Sequence, residues 1–443
     1  EMSSRGLGDV YKRQVYEYLE RRFDVSTRRL LSGLFLFVRA FATAVTVYSI
    51  AIVIELITGL SFIASVILLG VFTVAYDVIG GIKGVIYSDV IQLAVLFVVL
   101  VLVLILLVID AGGWQALIAA VPTERLATLN FAAHGLGDGE TFAFWPMLVG
   151  GLFLYVAYYG CDQSQVQREL CAKTPMATSQ ALLLNGLLRF PLVALYCAVG
   201  LGIAAYAHNH PEFLSSLPQN DGEPNVNLAV PYYFLTALPV GVVGLAMVAL
   251  FAAAMSSLDS VLNSLSATTM EDFYRPLVKH RGIPERLSEI WVSRLITAAW
   301  GALTITLAFF VGDIAPTVLE AINKIGSLAN GPILAVFCLG LWFRKVSGKE
   351  VRAGLIAGIA GNTAMWLWVP SVSWLWWNPL GFIVCALVAL GLATLKSGLL
   401  AATANKTETV ALANIQNLGR YTAVLAAWFV LLLGALVAFG AAY

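Results

Sequence analysis

The chain is divided into long apolar runs by short polar loops, and this pattern admits few architectures. Eleven runs read as full membrane spans: 27–57, 61–80, 84–111, 143–170, 176–207, 238–268, 287–312, 316–343, 351–370, 377–396 and 417–443. About twenty predominantly apolar residues suffice for a helical crossing. Composition agrees: 60% of residues are hydrophobic and 12% charged, far from the averages of soluble domains. The expected fold class is therefore an all-α polytopic membrane protein. The longest loops, 112–142 and 208–237, leave no room for a soluble catalytic domain.

Charge supports this division. Alternate loops carry basic residues, among them Arg21, Arg22, Arg28, Arg29, Arg168, Lys173, Arg275, Lys279, Arg344, Lys345 and Lys396, whereas the opposite loops carry only Arg125. By the positive-inside rule the basic set is cytoplasmic, which places the C-terminus outside a multi-pass cell-membrane protein. The basic loops are thus topology signals and imply no nucleic-acid partner. The five cysteines lie in or beside spans without metal spacing and read as small apolar residues.

Most informative is Ala252–Ser266, which continues an apolar run from Pro239 yet carries Ser256, Ser257, Asp259, Ser260, Asn263 and Ser264. Ala253, Ser256, Ser257 and Ser260 follow an i, i+3, i+4, i+7 spacing, which puts them on one helical face. A stripe of oxygens beside a carboxylate suits a small hard cation. Helix packing through small residues accounts for the serines but not for Asp259, because a carboxylate at mid-membrane is costly and rarely idle. Arg39 and Glu55 also lie within a span, too far apart to pair, and each is left to meet a neighbouring helix.

Four motifs, in order, carry a family resemblance. Gly80-Gly-Ile-Lys-Gly-Val-Ile-Tyr-Ser-Asp-Val-Ile-Gln92, Tyr158-Tyr-Gly-Cys-Asp-Gln-Ser-Gln-Val-Gln-Arg168, Ala252–Ser266 followed by Met270-Glu-Asp-Phe-Tyr-Arg275, and Asn323-Lys-Ile-Gly-Ser-Leu-Ala-Asn-Gly-Pro332 resemble stretches of the sodium/solute symporter family. The resemblance implies a LeuT-like inverted-repeat bundle, with a midplane site at broken helices. Residues 27–343 would form core helices three to ten, and 344–443 three peripheral C-terminal helices. Residues 1–14 resemble translated sequencing-adapter read-through, and 15–26 the cytoplasmic end of a truncated span and a linker. On this reading the chain is a fragment lacking the first core helix and most of the second.

The resemblance also implies site residues. The main sodium site would take the Ala253 carbonyl and the Ser256 and Ser257 hydroxyls. A second would use Asp89 and Ser260. Asp259 departs from the family pattern, where Ser or Thr is common, and leaves sodium binding, proton coupling and a hydrogen-bonded carboxylate pair open. For solute, Tyr158 matches an aromatic that covers sugar from the inside. Arg189 falls where a relative has a substrate lysine, and a buried guanidinium there suits a carboxylate. Asn323 and Tyr155 complete the set. The implied function is secondary active symport, coupling the inward sodium gradient to uptake of a small polar organic solute by alternating access. Sodium is the coupling ion and no other cofactor is implied. The alternatives are a proton-coupled carrier of the same fold, or a channel or sensor on this scaffold. No span holds His-Glu-x-x-His or Gly-x-Ser-x-Gly, so an enzyme is not expected.

Overall fold

The computed structural model describes residues 14–172, 174–220, 222–281, 289–312, 317–397 and 418–442. The expected artefact lies outside these residues except for Gln14. So do Lys173, the side chains of 76–86, and with them the start of the Gly80–Gln92 motif.

The longer helices are α1 (Glu17–Arg22), α2 (Val25–Thr58), α3 (Phe62–Asp110), α4 (Trp114–Ala120), α5 (Gly151–Cys161), α6 (Gln163–Leu170), α7 (Pro175–Asn209), α8 (Ala229–Ala237), α9 (Val240–Thr269), α10 (Arg275–Arg281), α11 (Glu289–Ala308), α12 (Val318–Trp342), α13 (Gly348–Trp368), α14 (Trp377–Ser397) and α15 (Leu418–Ala442). Single π-helical turns precede α5 (Pro146–Gly150) and follow α9 (Met270–Tyr274). Among the described residues the only strands are a small hairpin, β1 (Gln219–Asn220) with β2 (Glu223–Pro224).

Among the described residues eight stretches are long and apolar enough to span a membrane, and Phe62–Ala75 and Pro146–Cys161 are shorter apolar helices. Three of the eleven expected spans, 61–80, 143–170 and 351–370, are not among the eight. The expected spans 61–80 and 84–111 are one uninterrupted helix, α3, because glycines at 80, 81 and 84 lower helix propensity without breaking the ladder. The expected span 143–170 is broken, since Asp162 is extended (φ −85°, ψ 121°) between α5 and α6. The expected span 351–370 is present as α13, but its run of glycines with Arg352 and Asn362 keeps it out of the eight.

The helices divide into two compact units: Glu1–Val45, Asn130–Ala172 and Val261–Asn414; and Thr46–Leu129, Lys173–Ser260 and Ile415–Tyr443. The first is built on α12, α13 and α14. Its core joins Leu31 and Phe35 of α2, Leu262 and Leu265 of α9, Val336 and Leu339 of α12, Leu355 of α13 and Cys385 of α14. The three helices approach at backbone contact. A Cβ on Gly331 would overlap the carbonyl of Asn378, and one on Gly354 that of Cys385. Small residues give membrane helices this close packing where no hydrophobic force drives them together.

The same seam resolves a backbone defect. Pro332 lies inside α12 and has no N–H for the carbonyl four residues back, that of Leu328. The buried amide of Asn362 donates to it instead, Nδ2 to O at 2.9 Å. Asn378, fully buried, donates to Ser327 Oγ at 3.0 Å. At the other end of α12, Arg22 donates to the carbonyls of Gly340 and Phe343, each at 2.8 Å. This closes the helix C-terminus and ties in α1, whose Leu19 is fully buried.

In the second unit α3 and α7 pack through Val99, Val103 and Leu107 against Val199 and Ile203, with Leu117 of α4, Tyr233 and Phe234 of α8 and Met247 of α9 added. Helix α15 buries none of its residues, as suits an apolar helix facing lipid. Thr128 Oγ1 donates to its Leu436 carbonyl at 2.9 Å.

The seam yields a stability prediction. Gly331→Ala should cost about 1–3 kcal/mol through overpacking, read as a lowered unfolding midpoint in detergent. At Gly391 of α14 an added Cβ meets nothing, and Gly391→Ala should leave the midpoint unchanged or slightly higher. Equal loss at both positions would contradict the close approach.

Candidate cation and solute sites

The oxygen stripe forms on α9 as its spacing predicts. Ser260 Oγ donates to the Ser256 carbonyl at 2.9 Å, and Ser257 Oγ makes a long bond to the Ala253 carbonyl at 3.4 Å. Such back-bonding to the preceding turn is the usual resting arrangement of helical serines. It gathers two hydroxyls and two carbonyls along one side of the helix. Ser256 does otherwise. Its hydroxyl donates across to Asp89 of α3, Oγ to Oδ1 at 2.6 Å. The structure therefore joins Asp89, expected at the second sodium site, to Ser256, expected at the first.

Burial divides α9 along its length. Ser257 is exposed and Ala253, Ser256 and Ser260 are half-buried, whereas Leu258 and Asp259 are buried, Asp259 completely. Asp259 thus lies off the face that presents Ser257. The oxygens of Ala253, Ser256, Ser257 and Asp89 are a neutral and carboxylate donor set appropriate to a hard monovalent cation.

The expected solute residues fall in both units. Tyr155, Tyr158 and Asn323 belong to the first unit and Arg189 to the second. Arg189 is exposed on α7, which corrects the expectation of a buried guanidinium; that span buries only 17% of its apolar window. Tyr155 is 45% exposed and stacks on Tyr159, ring centroids 6.4 Å apart. Asn323 is half-buried on α12, ahead of Pro332. Tyr158 is half-buried, edge-on to Tyr159 at 5.3 Å, with the Arg39 guanidinium 5.3 Å from its ring centroid.

Sequence reasoning left Arg39 without a partner. The structure pairs it with Asp162, Nη2 to Oδ2 at 2.6 Å. The pair borders a small cavity of about 20 Å³ lined also by Tyr16, Cys161, Asn330 and Ile333, enough for about one water molecule. The available signal was Asp162 itself, a residue type that favours helix N-caps, inside the quoted Tyr158–Arg168 motif.

Comparison with known proteins bears on this arrangement. The model of the Sodium:solute symporter family matches residues 12–358. The chain is 30% identical over 355 residues to the sodium/sialic acid symporter NanT of Aliivibrio fischeri (80% of this chain, 68% of that protein). It is 30% identical over 376 residues to the sodium-dependent multivitamin transporter of Oryctolagus cuniculus (81% and 54%). It is 29% identical over 364 residues to the human sodium-coupled monocarboxylate transporter 1 (80% and 56%). The chain therefore spans about two thirds of the first and little more than half of the other two. A solved structure of a Na+-coupled sialic acid symporter, substrate-bound and outward-open, shares its fold with a TM-score of 0.71 at 24% identity, over 86% of this chain and 77% of that one.

The two α9 hydroxyls should differ in energetic weight. Ser256→Ala removes a donor to a carboxylate and should cost about 1.5–3 kcal/mol. Ser257→Ala breaks only the long back-bond and should fall well below that. Chemical denaturation of the two purified variants in detergent reads the order, and a reversed order would contradict it.

Proposed function

The chain belongs to the Sodium:solute symporter family, and from that premise we propose that it is a secondary active symporter. It uses the inward sodium gradient to take up a small polar organic solute by alternating access. Residues 27–343 form the transporter core, and 344–443 supply three C-terminal helices outside it, of which α13 and α14 pack closely on α12. The basic loops face the cytoplasm, so the C-terminus lies outside the cell membrane. Residues of a LeuT-like fold that break or bend helices stand beside the transported species; here the extended Asp162 and the internal Pro332 are such points.

The observation that carries the reading is the bond from Ser256 to Asp89 beside the Ala253–Ser257 oxygens. It places a carboxylate within reach of a row of helical hydroxyls inside an apolar span. Sodium is held by the Ala253 carbonyl and the Ser256 and Ser257 hydroxyls, with Asp89, Ser260 and Asp259 forming the second cation position. Each hydroxyl exchanges the bond it donates for a lone pair directed at the ion. The residues assigned to solute are Tyr155, Tyr158 and Asn323 in the first unit and Arg189 in the second. The relatives' names give sialic acid, vitamin and monocarboxylate as solutes of those proteins; sialic acid and monocarboxylate are acidic, the chemistry that an arginine would serve.

A second reading, a proton as the coupling ion, is favoured by one observation. Asp259 is a fully buried carboxylate within a span, and an ionisable side chain in that position marks an ion or proton path.

Uptake into proteoliposomes decides between these readings, using this chain and any longer form its source gene encodes. The probes are labelled sialic acid, lactate and biotin. Saturable uptake that needs an inward sodium gradient and is not replaced by potassium is the expected result. A combined Ser256→Ala and Ser257→Ala variant should raise the half-saturating sodium concentration by about tenfold or more, the equivalent of roughly 1.4 kcal/mol of lost ion binding. Uptake driven equally by a pH gradient without sodium would replace sodium with a proton. If Asp259→Ser leaves uptake and its ion dependence unchanged, Asp259 has no direct coupling role. Arg189→Gln should weaken acidic solutes selectively, and equal loss for neutral solutes would remove Arg189 from the solute site.

A further inference from the structure

We infer that Arg39 is a positioning residue that latches the break between α5 and α6 and, through it, sets the ring of Tyr158. The two oxygens of Asp162 divide their work. Oδ1 accepts from the backbone N–H of Ser164 at 2.9 Å and from the Ser164 hydroxyl, so it caps the start of α6. Oδ2 accepts from Arg39 Nη2 at 2.6 Å and Nε at 2.8 Å. One carboxylate thus ends α5, starts α6 and binds both to α2.

Three further facts make this more than an incidental ion pair. Both members are largely removed from solvent, with 16% and 13% of their side-chain surface exposed. A buried pair of this kind is weak evidence for added stability but exacts a large penalty when one partner is removed. The same guanidinium faces the Tyr158 ring at 5.3 Å, within cation–π range. Tyr158 lies one helical turn before Asp162 on α5. Break, ring and latch therefore converge on one side chain.

The effect on transport rests on the symporter reading; the latch itself does not. Two native cysteines report it. Cys161 adjoins Asp162 and is 3% exposed, and Cys385 lies in the core of the same unit and is fully buried. The purified chain in detergent is exposed to N-ethylmaleimide, and the modification of each cysteine is followed by mass spectrometry. Arg39→Gln should raise the Cys161 rate by about tenfold or more, with Cys385 unchanged, because only the local opening is eased. The double variant Arg39→Gln with Asp162→Asn keeps an amide cap and leaves no unpaired charge. It should return Cys161 to near the wild-type rate. In proteoliposomes with the same labelled solutes, Arg39→Gln should raise the solute KM severalfold while half-saturating sodium stays constant.

An unchanged Cys161 rate in Arg39→Gln would overturn the latch. An equal rise at Cys161 and Cys385 would overturn it as well, because the pair would then hold the whole unit and not the break. A failed rescue in the double variant has the same meaning. If neither this chain nor a longer form of its gene shows uptake, the functional reading fails while the labelling result still decides the latch.

Discussion

Inside lipid no water is available to satisfy a backbone group that its own helix has abandoned. At three interruptions or ends of helices in the first unit a side chain supplies the missing bond, and the unit is organised around those substitutions. Asp162 caps α6 where α5 stops, Asn362 serves the carbonyl that Pro332 cannot reach, and Arg22 closes the end of α12. Each substitute comes from a side chain that must itself be held. Gly331 and Gly354 bring α12, α13 and α14 within reach of one another, and Arg39 fixes Asp162. Tight packing and irregular backbone are thus one arrangement: the irregularities are affordable only where helices approach closely enough to repair them.

The cation site proposed on α9 would follow a different logic. Two of its three hydroxyls need no distant support, because back-bonding along α9 already satisfies Ser257 and Ser260. The cost of this arrangement is that an arriving ion meets ligands already engaged. Binding is then an exchange of bonds, Ser256 giving up Asp89 or sharing it, and its net free energy is smaller than any sum of new contacts. Modest affinity for the ion is what a carrier requires, since an ion held too firmly is not released.

Much of this was legible in the residues. Period and length give the helices of both units, because an apolar run of span length has one way to satisfy its backbone. The face shared by Ala253, Ser256, Ser257 and Ser260 follows from spacing alone, and the internal Pro332 from its identity. Other features were hidden. The break at Asp162 falls where apolar Gly151–Cys161 gives way to polar Gln163–Leu170, a change of composition that does not by itself end a helix. The fusion of 61–80 with 84–111 into α3 goes the other way: two runs read as separate spans are joined by helical backbone. Arg39 and Asp162 are far apart in sequence, and no periodicity links an arginine on one helix to an aspartate on another. Nor does spacing disclose which side of α7 turns outward, and so the exposure of Arg189.

The repair at Pro332 constrains how the sequence can change over time. With proline at 332, an apolar residue at 362 would strand the Leu328 carbonyl in the protein interior. With alanine at 332, α12 would supply its own donor and position 362 would be free to vary. Substitutions at the two sites are therefore epistatic and ordered: the asparagine has to be in place before the proline is tolerated, and it cannot be lost until the proline has gone.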